Sequence, residues 1–369
     1  MHRDVVLVRG RENDSAIYRY LNALKANDIS ARLILWNRNK DNKVPGTIED
    51  IVEIAIRSPT DSLRVAFYLP LWWLVEFIQL IRIRPRIIGA FDIDTAIPAL
   101  LASKILGAKL TYVMLDYSPD CVPPSTSKIL VKIMRGVEDL IMQSADRIVL
   151  VDETRIEQVN GGKYTDKISI VHNMPLIKIN TDHHIETRSP SDIVSLFYAG
   201  ILHETRGIKT LIESITAVDG LMLTIAGMGP MEDFVKTKAS EHPDKIKYIG
   251  QINHDEVMRH TSSADAIIGF YDPNIRNNRY ASPNRFFEAM MLSKPLITNK
   301  NISIAIDVQK FNSGYVVEYG NIDALQQTMS HIVNNRSELT VKGANANELL
   351  LSRYSIENEK RGIISAFTP

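Results

Sequence analysis

Short apolar runs alternate with longer stretches of helical period from one end of the chain to the other. The first runs predict strands at 5–8, 32–36, 86–90, 110–114, 147–151 and 168–171, with helices at 15–26, 71–83, 95–106 and 126–144 among them. Most of these strands are apolar throughout instead of alternating, as expected when helices cover both faces of a sheet. From Asn173 to Ser191 the chain turns polar, proline-flanked and aperiodic, which predicts a linker. A second series follows, with strands at 194–198, 222–226, 245–249, 266–270, 295–298 and 315–317. Its helices are predicted at 208–217, 231–239, 254–262, 284–292 and 323–334, and two more close the chain at 338–351 and 356–367. Strand–helix alternation of this kind means an α/β chain with mainly parallel sheets. The expected architecture is two doubly wound domains, 1–178 and 179–352, with 353–369 as a terminal helix. In such pairs ligands occupy the cleft facing the carboxyl ends of both sheets.

The length of 369 residues suits two such cores better than one. Lys+Arg and Asp+Glu both number 43, and a neutral chain lacks the concentrated positive field that nucleic-acid binding requires. The single cysteine, Cys121, excludes an intramolecular disulfide and a cysteine metal cage and points to reducing cytoplasm. The apolar run at the N-terminus is too short for a signal peptide and reads as a first strand. The most membrane-like segment, FYLPLWWLVEFIQLIRI from Phe67 to Ile83, is interrupted by Glu76, Gln79 and Arg82, so it does not read as a span. Two readings of 71–86 stand: a buried helix with a basic end, or an interfacial helix with Trp72 and Trp73 at headgroup depth and Arg82, Arg84 and Arg86 drawn to anionic lipid.

Two segments of the second half carry candidate chemistry. In FYAGILHETRGIKTLIES, Phe197 to Ser214, a strand ends at Gly200, and Arg206 stands between it and a helix opening after Gly207. A cation beside free helix N–H groups suits an anionic ligand; a solvated loop arginine is the plain alternative. In ASPNRFFEAMMLSKPLI, Ala281 to Ile297, Ser282-Pro283-Asn284 is a helix-start signal that puts Arg285 in the first turn. A cation there conflicts with the positive end of the helix unless an anion is bound. Glu288, three residues on, is placed either to accept two ribose hydroxyls or to pair with Arg285 along the helix. Gly227-Met228-Gly229 lacks the third glycine of a dinucleotide fingerprint and does not predict NAD binding.

Together with Gly227-Met228-Gly229-Pro230 and Tyr248-Ile249-Gly250, these segments resemble the donor domain of glycosyltransferase family 4, in order and spacing, over about 100 residues. The resemblance implies a GT-B fold: two Rossmann-like domains facing across a cleft, with the last helix, as in Tyr354 to Phe367, crossing back to the first domain. It implies that Arg206 contacts the donor diphosphate, that Glu288 holds the nucleotide ribose, and that Gly250, Gln251 and Ile252 face the base. Gly200, Gly227, Ser282, Pro283, Asn284 and Arg285 would complete the donor site. Ile201 stands where the family usually has Arg, Arg206 where it has Lys, and Tyr280 where it often has an acid. One phosphate cation is thus missing, with Arg276, Arg279 or Arg285 available to replace it.

The first half resembles the same enzymes at Ala90 to Met114. Asp92 and Asp94 are read as acceptor-side residues or, for Asp94, as the cap of the following helix. Asp116 follows the 110–114 strand, with Leu115 where the family often has His, and is a candidate to orient an acceptor hydroxyl or take its proton. Gly10, in the first strand–helix turn, suits close backbone approach to a ligand, and Arg9 and Arg11 flank it as cations for the diphosphate. No metal-ligand spacing is evident; His183-His184 is an isolated linker pair. The resulting expectation is a metal-independent, cofactor-free transferase. It would move a hexose-type sugar with retention from a UDP- or GDP-type donor to a sugar, glycan or lipid-linked acceptor. Surface polysaccharide or glycolipid assembly, in the cytoplasm or at the inner membrane face, is the setting the resemblance implies. A catalytically silent GT-B subunit and a nucleotide-sugar 2-epimerase are the alternatives.

Overall fold

The structure, a computed structural model, describes residues 5–12, 15–38, 51–58, 63–122, 125–175 and 193–368. Most of the linker segment, with His183 and His184, lies outside them. Contacts divide the chain into two compact units, Met1–Pro175 with Ile356–Pro369, and Leu176–Ser355.

The first unit runs β1 (Val5–Arg9), α1 (Ser15–Lys25), β2 (Ala31–Asn37), β3 (Ile51–Ala55), α2 (Leu69–Ile83), β4 (Ile87–Phe91), α3 (Ile93–Leu106), β5 (Lys109–Met114), α4 (Lys128–Ser144), β6 (Arg147–Leu150), α5 (Arg155–Gln158) and β7 (Ile168–Ile170). Its seven strands are parallel in the order β3-β2-β1-β4-β5-β6-β7. The second unit runs β8 (Val194–Ala199), α6 (Ile208–Ala217), β9 (Leu221–Ala226), α7 (Glu232–Glu241), β10 (Ile246–Tyr248), α8 (His254–Ser263), β11 (Ala266–Ile268), α9 (Asn284–Met291), β12 (Leu296–Asn299), α10 (Ser303–Lys310), β13 (Gly314–Val317), α11 (Ile322–Asn334) and α12 (Ser337–Arg353). Its sheet, β10-β9-β8-β11-β12-β13, is parallel as well. Both sheets change winding direction beside their first strand, at β1/β4 and β8/β11, where a doubly wound sheet opens a crevice at its carboxyl edge. Three elements differ from the sequence reading: β3, an edge strand beside the polar 39–50 stretch, and the short helices α5 and α10.

The last helix, α13 (Ile356–Ala366), belongs to the first unit. Tyr20 of α1 meets Phe91 and Phe367 edge to face, at 5.0 and 5.9 Å between ring centres. Thr111 Oγ1 donates to the Ala366 carbonyl at 2.8 Å. Gly89 makes this possible, because a Cβ there would lie 2.5 Å from the Phe367 ring.

The structure shows where the tryptophans of α2 point. Trp72 is fully buried and stacks on Trp36, ring centres 5.3 Å apart and 17° between planes. Both indole N–H groups, of Trp72 and Trp73, donate to the Asp94 carbonyl, at 3.0 and 2.9 Å. The tryptophans therefore clamp α2 to the start of α3 and are not headgroup anchors. Buried indoles take this direction because their N–H must find an acceptor. Glu76, read from sequence as a break in an apolar run, is fully buried, with no hydrogen-bond partner at either carboxylate oxygen. Burial and the nearby Asp94 charge push its pKa well above the usual carboxylate range.

Candidate functional site

In the second unit the carboxyl ends of β8 and β9 approach closely enough to require glycine. Gly227 has φ +136, and a Cβ on it would lie 1.9 Å from the Gly200 carbonyl oxygen. Its N–H donates to the Gly250 carbonyl at 2.8 Å, tying the turn to the end of β10. The result is a pocket of about 230 Å³ lined by Ala199, Gly200, Ile201, Ala226, Gly227, Met228, Gln251, Ile252, Val257 and Arg285. Of the residues singled out in sequence, Gly200, Gly227, Gln251, Ile252 and Arg285 meet at this one place.

Arg285, in the first turn of α9, donates through Nε to the Ala199 carbonyl at 3.1 Å and through Nη1 to Glu288 Oε2 at 2.9 Å. Glu288 is almost wholly buried, and its other oxygen meets His254 Nε2 at 3.0 Å. Burial pushes the Glu288 carboxyl up, but the His254 hydrogen bond and the Arg285 charge outweigh it and hold the pKa below its ordinary value. The hydrogen bond to Glu288 in turn raises the pKa of His254. The pKa of a carboxylate at this depth is thus held down by the Arg285 charge and the His254 hydrogen bond. Each of its oxygens has a second lone pair for a further donor.

Arg206 closes a 3₁₀ turn, Glu204–Arg206, just before α6. Its guanidinium lies over the Tyr271 ring, 4.3 Å from the centre, and Nη1 donates to Asn278 Oδ1 at 3.3 Å. Arg206 does not line the pocket; Arg285 does, and its Nε reaches the carbonyl at the end of β8. Ser282 and Pro283 lead into α9, which opens with Asn284. Ser282 Oγ is buried and unpartnered there. Of the three arginines available to replace a missing cation, Arg285 lines the pocket. Arg279 donates to the Pro273 carbonyl at 2.6 Å and lines a different hollow of about 620 Å³, with Asn301 and Tyr319.

In the first unit the corresponding crevice is filled by its own side chains. Arg9 is 5% exposed and bonds Asp92 Oδ2 at 2.5 Å, so it does not project as a phosphate cation; Arg11 is the exposed member of the pair. The space that Gly10 leaves open is taken by Asp94, whose carboxylate would lie 2.1 Å from a Cβ there. Asp94 does not cap α3: the N-cap position is Asp92, and Asp94 Oδ2 pairs with Arg38 at 2.9 Å. Asp92 adopts φ +61, a strained conformation for a non-glycine residue. It is held by Arg9 and by the Leu115 and Asp116 N–H groups, which donate to Oδ1 at 2.8 and 3.2 Å. Burial raises the Asp92 pKa against the Arg9 charge. The role of Asp92 is to hold the loop that carries Asp116, whose 59%-exposed carboxylate lies 3.4 Å from Arg155 Nη2.

Sequence reasoning missed His254, although the capping box around it, Asn253 with Glu256, is legible. It also missed a gathering of Asp152, Glu153 and His172, whose potential ligand atoms lie within 4.8 Å of one another. The spacing reading found no such cluster because the three come from the ends of two neighbouring strands. The His172 ring is already engaged by Glu359 at 2.7 Å and Glu153 at 3.2 Å.

Residues 180–348 match the family model described as glycosyl transferases group 1. A search among curated proteins finds no match. Similar solved structures include sucrose-phosphate synthase from Thermosynechococcus elongatus, at TM-score 0.76 and 15% identity over 98% of both chains. Anabaena HepE in complex with UDP follows at 0.72 and 14%, over 98% of both. WaaG, a glycosyltransferase involved in lipopolysaccharide biosynthesis, matches at 0.71 and 14%, over 97% of this chain and 98% of its own. At these identities the likeness is one of fold, and the fold is GT-B.

Proposed function

We propose that this chain, whose second unit matches the group 1 glycosyl transferases, is a retaining transferase. It would move a hexose-type sugar from a nucleoside diphosphate to an acceptor hydroxyl. The observation that carries the reading is the pocket at Gly200, Gly227, Gln251 and Ile252, with Arg285 on its wall and the anionic Glu288 behind that arginine. In this reading the base rests against Gln251 and Ile252, and the ribose diol donates to Glu288. Arg206, Arg285 and the N–H groups at the start of α9 take the diphosphate charge.

The acceptor oxygen bonds to the anomeric carbon as the carbon–oxygen bond to the phosphate breaks, and the acceptor proton passes to the departing phosphate oxygen. The barrier lies in adding a further negative charge to a diphosphate that already carries two, so preorganised positive potential is the main contribution of the protein. Such a front-face path needs neither a protein nucleophile nor a cofactor. Asp116 orients the acceptor hydroxyl, and Asp92, which fixes its loop, is a positioning residue. A sugar, glycan or lipid-linked acceptor in surface polysaccharide or glycolipid assembly fits the company of lipopolysaccharide enzymes among similar folds.

Thermal-shift titration with UDP, GDP and their sugars, followed by transfer assays over an acceptor panel, tests the reading. Arg206→Ala is expected to fold, bind nucleoside diphosphate weakly and lose most transfer, by about 10²–10³ in kcat. Wild-type turnover in that variant would sink the assignment. The exposed Ile201, where a cation is usual in this family, favours a silent subunit as the second reading. Nucleotide-sugar binding without turnover on any acceptor would support that reading, and conversion of donor with no acceptor present would mean an epimerase.

A further inference from the structure

Two neighbouring parallel strands of the first unit end side by side. Leu150 of β6 pairs with Ile170 of β7, and two residues beyond each stand Asp152 and His172. Glu153 follows Asp152 and turns back toward the same place. Each of the three offers a ligand atom, and these atoms lie within 4.8 Å of one another. Asp152 and His172 are buried, whereas the Glu153 side chain is 46% exposed. Glu153 lines a surface hollow of about 640 Å³ with Ile156, Glu157 and Asn160, which gives the group a path to solvent.

The ring of His172 is held from one side only by a buried partner. Nδ1 meets Glu359 Oε1 of α13 at 2.7 Å, and the other Glu359 oxygen accepts the His172 backbone N–H at 2.6 Å. Glu359 is 3% exposed, so the imidazole is aimed from a fixed point. A carboxylate behind the far nitrogen is the support that orients a metal-ligating histidine. With the Nδ1 proton committed to Glu359, Nε2 is the atom left to bind a proton or an ion.

On that side Glu153 Oε2 stands 3.2 Å from Nε2. A charge-assisted hydrogen bond would draw the two atoms to about 2.7–2.9 Å. Ligand bonds of about 2.0–2.2 Å, at angles between octahedral and tetrahedral, instead put neighbouring ligand atoms about 3.0–3.4 Å apart. The observed spacing is that of two ligands on one ion. Asp152 is oriented by Thr154, whose N–H and hydroxyl donate to Oδ1 at 2.9 and 2.5 Å. Burial raises the Asp152 pKa against those two bonds, and the Glu153 charge adds to the rise. Three carboxylates thus surround one imidazole, which supplies at most one positive charge.

We propose that Asp152, Glu153 and His172 bind one divalent transition-metal ion, zinc by the class of the ligands, with Glu359 as the residue that aims the imidazole. A mixed imidazole and carboxylate set suits zinc better than magnesium or calcium, which prefer oxygen alone. Water from the hollow would complete the coordination. The ion would join the ends of β6 and β7 and, through Glu359, fasten α13 to them. None of these residues lies in the donor pocket, so zinc binding and sugar transfer succeed or fail separately.

The test uses the full chain stripped with EDTA. It is titrated with zinc chloride against a chromophoric chelator, and thermal unfolding is followed with and without the ion. Wild type should bind one equivalent and unfold at a higher temperature when zinc is present. Glu359→Gln keeps one acceptor for the ring and should weaken zinc by about 10- to 100-fold, as for loss of an outer carboxylate. Glu153→Gln, at an exposed position, should fold as the stripped wild type does and lose at least as much affinity. Cobalt in place of zinc should give a visible absorption band in wild type that is missing in His172→Gln. His183→Ala/His184→Ala, in the linker, should bind zinc as wild type does. Wild type that leaves all the zinc with the chelator overturns the proposal, as does affinity unchanged in both Glu153→Gln and His172→Gln. Binding abolished by the linker substitution would assign the zinc to His183 and His184 and overturn it too.

Discussion

Glu288→Gln separates a ligand-binding role from a structural one, because the amide keeps the shape of the side chain and removes the charge. In the wild type one oxygen meets Arg285 at 2.9 Å and the other meets His254 at 3.0 Å. The side chains of those partners are 32% and 47% exposed, so both re-solvate when the carboxylate is gone. The stability lost should therefore be small, about 1 kcal/mol or less, as for half-exposed ion pairs. The cost to the donor is larger. A ribose diol would make two hydrogen bonds to the carboxylate, each worth about 1.5–3 kcal/mol when one partner is charged. The amide retains one acceptor oxygen and presents N–H groups where the second hydroxyl must donate. Losing one such bond lowers donor affinity and kcat/KM by about 10- to 150-fold, at 1.36 kcal/mol per decade. Calorimetry with UDP, GDP and inorganic pyrophosphate, beside thermal unfolding, reads both effects. Nucleotide binding should weaken while pyrophosphate, which has no ribose, binds as before. An equal loss for pyrophosphate and nucleotide, or unchanged nucleotide affinity with a large drop in Tm, would refute the ribose assignment and leave Glu288 as a brace for Arg285.

Asp92→Ala is expected to destabilise the first unit by about 3–5 kcal/mol, because it leaves the buried Arg9 guanidinium without its carboxylate; chemical denaturation measures this. The same change frees the Leu115 and Asp116 N–H groups, so any remaining folded protein should show a raised acceptor KM with donor binding unchanged. His172 links α13 to the end of β7, its N–H and ring both bonded to Glu359. Burial lowers the imidazole pKa, but hydrogen bonds to Glu153 and Glu359 outweigh it and raise the value from 6.5 to about 9. A raised pKa gives stability that is fully present below the unfolded value of 6.5 and is lost as pH climbs through about 9. The opening free energy of α13, read from amide exchange after correction for the intrinsic hydroxide-catalysed rate, should therefore fall between these limits by about 3 kcal/mol at most. His172→Gln should show no such pH dependence, and an identical profile in wild type and variant would remove His172 as the cause.

Local pattern along the chain was enough to determine the α/β architecture. Period and strand length are near-neighbour properties, so β1, β8, α6 and α9 are visible as runs of residue types, and the Asn253–Glu256 box marks the start of α8. Glycines at forced turns are visible for the same reason, and the close approach at Gly200 and Gly227 follows from them. Only the tertiary structure decided the pairings. His254 reaches Glu288 across 34 positions and Arg9 reaches Asp92 across 83, because strands adjacent in these sheets need not be adjacent in sequence. The same cause settled which side of α2 faces inward: a helix with Trp72 and Leu80 on one side and Leu71 and Leu74 on the other offers two apolar faces. Its orientation was set by a carbonyl at Asp94 that accepts two indole N–H groups and by a Trp36 ring on β2. A sequence states which groups must be buried or bonded, but the partner is fixed by the order in which strands assemble, and that order is not a local property of the chain.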